Sequence, residues 1–468
     1  MKILRILFFV VLTISLLVGS PASQVEAQGF ASYRSGITLY NLESAEATVT
    51  VQYFDTTGTS VADTTDTIAG NSTKDYVAVP TDDGFQGSAV VSSSTEIAVI
   101  SNITGAGVAR GSYVGMSQGS TTVRLPILMK NHGSGLWSTW FSVQNLSTTS
   151  SANVTVDYAG CSTGDPTESI PANSSLVFDQ KTTACLANGM TYATITSTQD
   201  IVVTVAQEST TRNALLVSNG FNSGSTSPYI PLVNANNPDV NGWRTAIVIM
   251  NLGDQSTNLT LTYKKLDGST CTETQTIPSL TAATFAGATL VSGNRTGVVT
   301  TCTPGARLIG AAYIATPADN STNQPLVATV NQDRESLASA YTGMTEDQGS
   351  PKVAFPLIMD RNGTTLWATS FNVMNVGDTT VYIKCSFSGT AGAAYTPTSG
   401  ALAPNGVWEN LQRGNIADRY VGSGQCTAYT DNTYATVDSA AKLIAVVNER
   451  GFNTGDVMMS YEAVNVVP

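Results

Sequence analysis

Short runs in which every second residue is apolar recur four times along this chain. Each run follows an Asn-Leu or Asn-Val pair and closes on an aromatic residue about a dozen positions after the Asn. The apolar positions are Val49, Val51 and Tyr53; Val154, Val156 and Tyr158; Leu259, Leu261 and Tyr263; and Ile383, Cys385 and Phe387. Because successive side chains of a strand point to opposite faces, this period predicts strands with one buried face.

The four Asn landmarks divide the chain into similar units. They are Asn41, Asn145, Asn251 and Asn375, and their spacing of roughly 105 to 125 residues suits one β-sandwich domain and is too long for a solenoid turn. We therefore predict repeat 1 at 28–120, repeat 2 at 121–226, repeat 3 at 227–349 and repeat 4 at 350–468, the last with a C-terminal tail. Each repeat holds about seven short strands separated by turn residues, without helical periodicity, which predicts antiparallel two-sheet sandwiches.

The first 27 residues have the pattern of a secretory signal peptide. Lys2 and Arg5 precede the apolar run Ile6–Val18, and the small-residue site Val25-Glu26-Ala27 precedes Gln28. This segment is too short for a lasting membrane anchor. We therefore expect an exported product, secreted or at the cell surface, without a membrane span after cleavage.

The net charge of the chain limits the classes of partner that it is expected to bind. The whole chain has a net charge of −12, and without residues 1–27, which carry Lys2, Arg5 and Glu26, 20 basic residues face 33 acidic ones, a net charge of −13. Nucleic-acid binding needs clustered Lys and Arg, so nucleic acid is not an expected partner.

Six cysteines fall in pairs within single repeats. The pairs are Cys161 and Cys185, Cys271 and Cys302, and Cys385 and Cys426. An even number in an exported chain predicts three local disulfides. No Cys-x-x-Cys or Cys/His cluster suits a metal, and we expect neither a metal site nor a cofactor.

The order of these units resembles the tandem immunoglobulin-like repeats of secreted bacterial surface proteins, such as filament subunits, surface-layer proteins and adhesins. The resemblance lies in architecture and repetition, since the Cys…Trp…Cys spacing of antibody domains is absent. It implies four Ig-like sandwiches in one extended chain, with a structural or adhesive role at the cell surface.

The sequence gives little support for catalysis. His132 is the only histidine and lies in an Asn-His-Gly turn without a counterpart in the other repeats. No Gly-x-Ser-x-Gly on a strand-to-helix turn accompanies it, because the sequence shows no helical periodicity. A turn histidine on the surface is the simpler interpretation, and we predict that the protein is not an enzyme.

Aromatic residues recur at one position of the repeat. Trp137, Trp243 and Trp367 each stand eight residues before their Asn, and Tyr33 takes that place in repeat 1. A recurring aromatic predicts a core residue. Trp140 and Trp408 have no counterparts, so an exposed position for them would favour a glycan-binding surface.

Asn-x-Ser/Thr sequons make the chain a candidate glycoprotein. The candidate acceptors are Asn71, Asn102, Asn153, Asn173, Asn258, Asn294, Asn320 and Asn362.

The two ends of the chain suggest how it assembles. Repeats 2, 3 and 4 open with an x-Pro-apolar strand around Pro126, Pro231 and Pro356, for which repeat 1 has no room between Gln28 and Tyr33. The tail residues Val464, Val466, Val467 and Pro468 look like the start of such a strand. A missing edge strand can be supplied by another chain.

We therefore predict a subunit of a surface filament that binds other copies of itself head to tail, with the tail of one subunit beside Tyr33 of the next. A monomeric adhesin or glycan-binding rod and a surface-layer lattice protein are the alternatives.

Overall fold

The computed structural model describes residues 32–466, apart from 78, 82–83, 106–108, 162–165, 240, 286–296, 390–394 and 453–456. Within them the regular elements are antiparallel strands and two short 3-10 turns, Pro317–Asp319 and Glu346–Gln348. The predicted all-β class is confirmed. The predicted signal peptide and the sequon Asn294 lie outside the described residues.

Repeat 1 contains two sheets of unequal size. Its strands are β1 (Tyr33–Asn41), β2 (Ala47–Asp55), β3 (Ser60–Ile68), β4 (Thr73–Tyr76), β5 (Gly87–Ser93), β6 (Ile97–Gly105) and β7 (Ala109–Val114). They form a four-stranded sheet, β4-β1-β6-β7, and a three-stranded sheet, β3-β2-β5. Leu39, Val49, Val51 and Tyr53 fill the core between them.

Repeat 2 adds an opening strand to this plan. Its strands are β8 (Ser120–Lys130), β9 (Ser138–Asn145), β10 (Ala152–Tyr158), β11 (Thr167–Ile170), β12 (Ser175–Asp179), β13 (Gly189–Ser209) and β14 (Ala214–Asn219). The long β13 belongs to both layers: its first half pairs with β8 and β10, and its second half pairs with β9 and β14.

Repeat 3 has the same order of strands. They are β15 (Tyr229–Ala235), β16 (Arg244–Asn251), β17 (Thr257–Lys265), β18 (Thr270–Ile277), β19 (Ala282–Phe285), β20 (Val299–Thr300), β21 (Leu308–Tyr313), β22 (Leu326–Arg334) and β23 (Leu337–Thr342). The two sheets are β15-β21-β17-β18-β20 and β19-β16-β22-β23.

Repeat 4 ends on the tail. Its strands are β24 (Lys352–Asp360), β25 (Ala368–Asn375), β26 (Tyr382–Gly389), β27 (Val407–Leu411), β28 (Tyr420–Tyr429), β29 (Leu443–Arg450), β30 (Met458–Glu462) and β31 (Val464–Val466). The sheets are β26-β28-β24-β31 and β27-β25-β29-β30. Of the residues predicted to point inward in the four runs, Phe387 is half-buried and the others are buried.

The opening strands β8, β15 and β24 each lie beside the strand that precedes the last hairpin of their repeat. In repeat 1 the corresponding strand is β5, which pairs with β2 on one side. Among the described residues no strand pairs with its other side. The backbone of β5 therefore forms the edge of its sheet.

Each Asn landmark is buried, and its side-chain amide links two turns through hydrogen bonds; we call this arrangement a staple. The side chain of Asn251 donates to the carbonyl oxygens of Gln255 at 2.7 Å and Ile277 at 3.2 Å, and accepts from the backbone N–H of Gly253 at 2.9 Å. The same three kinds of bond form at Asn41, Asn145 and Asn375. The Asn recurs in every repeat because its side-chain amide forms hydrogen bonds with backbone groups of the two turns.

Replacing one staple should therefore destabilise the protein. We expect Asn251→Ala to lower the free energy of unfolding by about 2–3 kcal/mol, because one buried and two partly buried hydrogen bonds to the backbone are lost. Urea unfolding checks this, with the exposed Asn258→Ala as the control. Equal midpoints for the two variants would contradict the role of the staple.

Disulfides lie within repeats 2, 3 and 4. They join Cys161 to Cys185, Cys271 to Cys302 and Cys385 to Cys426. The last connects directly opposed residues of β26 and β28 in the core. Each links strands or loops of one repeat and none crosses between repeats.

The repeats do not form an extended chain, and that part of the prediction is wrong. The last strand of each repeat lies against the last strands of its neighbours in the order β7, β14, β23, β30 and back to β7. The outer faces of the sheets are apolar where repeats meet, as at Ile127, Met129 and Val248 between repeats 2 and 3. Burying these faces closes the chain into an approximately fourfold arrangement.

Small side chains allow this close approach. A Cβ atom at Gly111 in β7 would lie 2.3 Å from a methyl carbon of Val217 in β14, so glycine is required there. Between repeats 3 and 4, the Ser460 hydroxyl donates to the Ser339 hydroxyl at 2.7 Å. The last strands thus form the common centre of the four repeats.

Candidate functional site: the closing junction of repeats 4 and 1

The junction between repeats 4 and 1 joins the two ends of the described chain. β31 pairs with β24, so that Val464 lies opposite Ala354 and Val466 opposite Lys352. Both valines pack with Ala354 against three residues of repeat 1, which are Tyr40, Leu42 and Ala98. The tail therefore adds to the sheet of its own repeat and contacts the outer face of repeat 1 in the same chain.

This position corrects the interpretation of the tail as the start of an opening strand. The residue after each last strand, Gly115, Gly220, Gly343 or Ala463, donates its N–H to a corresponding carbonyl oxygen. The next residue then reaches the opening strand of its own repeat: Phe221 pairs with Arg124, Met344 with Tyr229 and Val464 with Ala354. The tail thus corresponds to the segment that connects two repeats. Val467 and Pro468 lie outside the described residues.

Polar bonds tie the two repeats together beside the tail. The side-chain amide of Gln425 in β28 donates to the Tyr40 hydroxyl at 2.6 Å and to the Asn71 side-chain oxygen at 3.2 Å. Tyr40 is 1% exposed. Burial raises the pKa of Tyr40 to about 12, against the opposing effect of the Gln425 and Ser423 hydrogen bonds. Tyr40 is therefore a neutral hydrogen-bonding group at physiological pH.

A cleft of about 320 Å³ opens at this junction. Its walls come from repeat 1 through two residues and from three strands of repeat 4; they are Tyr40, Asn71, Lys352, Ser386, Phe387, Ser388, Gly424 and Gln425. The lining residues carry hydroxyl groups, side-chain amides and one ammonium group, and none of them carries a carboxylate. The Phe387 ring itself packs against the core of repeat 4, near Phe371, and the Tyr395 ring stacks on it at 5.8 Å.

The corresponding corner between repeats 3 and 4 is filled. Lys264 follows Tyr263 in β17 as Ser388 follows Phe387 in β26, and both Tyr263 and Phe387 pair with the strand before the last hairpin. The Lys264 ammonium group spans that junction and donates to the Pro404 carbonyl oxygen at 2.9 Å. Ser388 is too short to do the same. The cleft exists because a long side chain is replaced by a short one.

Tyr33 and Trp140 lie in the junction between repeats 1 and 2. The Trp140 side chain is 8% exposed, and its ring contacts the Tyr33 ring edge to face at 5.5 Å. Glu208 accepts from the Tyr33 hydroxyl, from the Trp140 indole N–H at 3.3 Å and from the Lys181 ammonium group at 3.0 Å. The expectation that Trp140 could be an exposed glycan platform is wrong, since repeat 1 covers it. Tyr33 contacts repeat 2 of its own chain.

The recurring aromatics and Trp408 also differ from expectation. Trp137, Trp243 and Trp367 are half-buried, and Trp137 lies among residues of repeats 2 and 3. Arg450 of repeat 4 lies over the Trp243 ring at 5.8 Å. These aromatic side chains pack at junctions between repeats as well as in the cores. Trp408 packs at the edge of the repeat 4 core, with its ring 5.7 Å from Phe371, and is not an exposed platform.

A polar position recurs at three of the junctions. Gln207, Gln332 and Glu449 each pair with the Thr two residues after the recurring Trp. Gln207 exchanges two hydrogen bonds with Asn331, at 2.7 and 3.1 Å, and Gln332 donates to Asn448 at 3.5 Å. Glu449 is 0% exposed, and neither carboxylate oxygen has a partner among the described residues. Burial, and secondarily Asp75 of repeat 1, raises the Glu449 pKa to about 8.

The sequons fall into two groups. Asn320 is buried and its amide donates to the carbonyl oxygens of Gln324 and Thr226, so it is not accessible as a glycan acceptor and its prediction is wrong. Asn71, Asn102, Asn173 and Asn362 are half-buried, whereas Asn153 and Asn258 are exposed. These half-buried and exposed residues remain candidates for glycosylation, and the two exposed ones are the most accessible.

Nothing in the described ranges forms a metal cluster of three or more His, Cys, Asp or Glu side chains. No helix of the described chain is long and apolar enough to cross a membrane. His132 lies in the turn before Trp137, to which it is bonded through the backbone. The prediction that the protein is not an enzyme stays a prediction.

Comparison with known proteins adds little. No family model matches the chain, and no curated protein matches it. A solved structure described as the tetra-tandem repeat in the extending region of a large adhesion protein is 11% identical, with 92% of this chain and 95% of that chain covered at a TM-score of 0.11. A similarity of this size carries no argument about fold or function.

Sequence reasoning missed the residues of the cleft. Tyr40, Ser388 and Gln425 belong to strands that have the pattern of ordinary alternating strands. The signal that could have found them is the comparison of repeats, because Ser388 takes a position that is Lys264 in repeat 3.

Proposed function

We propose that this chain is an extracellular, non-enzymatic protein of the cell surface, with a structural and adhesin-like role, which acts as one closed body of four repeats. The observation that carries the proposal is the closing junction, where β24 and β31 of repeat 4 cover the outer face of β1 and β6 in repeat 1. A closed body presents the clefts between repeats in fixed positions, which favours binding.

Two further features support this role. Three disulfides within repeats suit an oxidising compartment. Buried side chains at the junctions are used for packing and for bonds between repeats, as at Gln207 and Asn331. A protein built in this way offers its surface and the junctions between its repeats as places where a ligand can bind.

A second candidate is the head-to-tail filament. Each junction joins different surfaces of two successive repeats, and such heterologous contacts close into a ring or continue into a fibre. If repeat 4 of one chain covered repeat 1 of the next, the same contact would propagate. The specific observation in its favour is the unpaired edge of β5, which another strand could extend.

Solution measurements separate these candidates. We expect the chain from Gln28 onward to be a compact monomer, because the ends of one chain meet at a high effective concentration. Light scattering after size exclusion, with small-angle X-ray scattering, measures mass and compactness. Filaments or open rods in the parent protein would contradict the closed body.

Deleting 464–468 tests the role of the tail. This change uncovers Tyr40, Leu42 and Ala98, and we expect a loss of about 2–3 kcal/mol in the free energy of unfolding, from the burial of two valines. Hydrogen exchange should rise in β1 and β6 and stay constant in β16 and β22. Unchanged exchange in β1 would show that the tail does not hold the junction.

A further inference from the structure

The cleft at the closing junction has the size and the groups of a binding site. Its volume of about 320 Å³ falls at the lower end of small-molecule sites, which span about 300–1,000 Å³. It is bounded by buried, fixed groups, since Tyr40 and Gln425 are bonded to each other across the two repeats. A preformed site of this kind costs little ordering when it binds.

The lining selects the chemistry of the ligand. Ser386 and Ser388 offer exposed hydroxyl groups. The Gln425 amide donates to Tyr40 and Asn71, which leaves the Gln425 side-chain oxygen and the Asn71 side-chain N–H groups for a ligand. Hydroxyl and amide groups pair with the hydroxyl groups of a sugar.

Lys352 adds a preference for negative charge. Lys352 lines the cleft, and its ammonium group forms no ion pair among the described residues and meets no carboxylate in the lining. A carboxylate on the ligand would form a charge-assisted hydrogen bond with it.

We propose that this cleft binds an acidic sugar unit, a uronic acid, of an extracellular polysaccharide. The proposal rests on the proposed role as a cell-surface protein, and it names the ligand class that such a role would use. Binding should also strengthen the closing junction, because the ligand contacts residues of both repeats.

The probes are tri-galacturonate and its methyl ester, which has the same sugars without the charges. We expect the parent protein to bind tri-galacturonate more tightly than the ester in calorimetric or ligand-observed NMR titrations. Raising the salt from 50 to 500 mM should weaken the binding of the acid and leave the ester unchanged. Equal affinity for the two probes would overturn the assignment of an acidic ligand.

Two variants locate the site. Lys352→Met should weaken the binding of tri-galacturonate at least tenfold and leave the ester unaffected. Ser388→Lys places in the cleft the side chain that fills the corresponding corner at Lys264, and it should abolish the binding of both probes. Ser169→Lys, at an exposed position of β11, is the control and should bind like the parent.

The outcomes separate this proposal from the proposed function. If the parent is a compact monomer and binds neither probe, the cleft proposal is wrong and the closed body stands. If Ser388→Lys folds and binds both probes as the parent does, the sugar lies elsewhere and the cleft proposal is also wrong. If repeats 1 and 4 are separated in solution, the proposed function fails and the cleft with it.

Discussion

Trp140→Ala should be among the most destabilising single substitutions in this chain. We expect a loss of about 3–5 kcal/mol in the free energy of unfolding, the usual cost of removing a large buried aromatic side chain. The ring lies between repeats 1 and 2, against Tyr33, and its indole N–H donates to Glu208. Urea unfolding and hydrogen exchange of β1 and β7 measure the effect.

Trp140 has this large effect because repeat 1 lacks an opening strand. Between repeats 2 and 3, the opening strand β8 places Ile127 and Met129 against Val248. Repeat 1 has no such strand among its described residues, and the facing sheet of repeat 2 instead offers Trp140 at the position that is Ala246 in repeat 3. The large ring supplies apolar surface where a strand is absent.

Trp408→Ala is the matched control. This tryptophan packs at the edge of the repeat 4 core, with its ring 5.7 Å from Phe371. Trp408→Ala should lower stability while leaving hydrogen exchange in β1 and β7 at the level of the parent. If both variants leave exchange in β1 unchanged, Trp140 does not hold the first junction.

The strand pattern could be predicted from the sequence because it depends on local periodicity. Alternation at Val49, Val51 and Tyr53 identifies a half-buried strand wherever it occurs, and the structure buries all three. The Asn landmark was also visible, although its role as a staple was not. Side-chain bonds to distant turns, such as that from Asn251 to Ile277, have no local signature.

The closed arrangement could not be predicted in the same way. It depends on the outer faces of the sheets, whose apolar residues are few and widely spaced, as at Val248 and Ile127. An exposed apolar residue is common on any surface, so each one alone predicts nothing. The cleft depends on the absence of a long side chain at Ser388, which is meaningful only when the repeats are superimposed.

Glu449 gives the closing junction a dependence on pH. Its ordinary pKa is 4.5, and burial raises it to about 8 in the folded protein. Between these values the folded state binds a proton that the unfolded state has released. Stability is therefore fully present below about pH 4.5 and is lost as the pH rises through 8, by up to about 5 kcal/mol.

Glu449→Gln should remove this dependence. Gln occupies the same position at the second and third junctions, where Gln207 and Gln332 bond to Asn331 and Asn448. The variant should match the parent near pH 5 and exceed it by several kcal/mol near pH 8.5, because no proton is linked to folding at an amide. Urea unfolding between pH 4.5 and 8.5 measures the difference.

The reverse exchange completes the test. Gln332→Glu places a carboxyl group at the corresponding buried position between repeats 3 and 4, where Gln332 is 1% exposed. It should create a second loss of stability with rising pH, since a buried carboxylate without a cation is strongly disfavoured. Parallel pH profiles for the parent and Glu449→Gln would show that Glu449 is ionised without cost and that its environment is more polar than its burial indicates. A profile that flattens in Glu449→Gln and steepens in Gln332→Glu would place the pH sensitivity of the fold at this one repeated position.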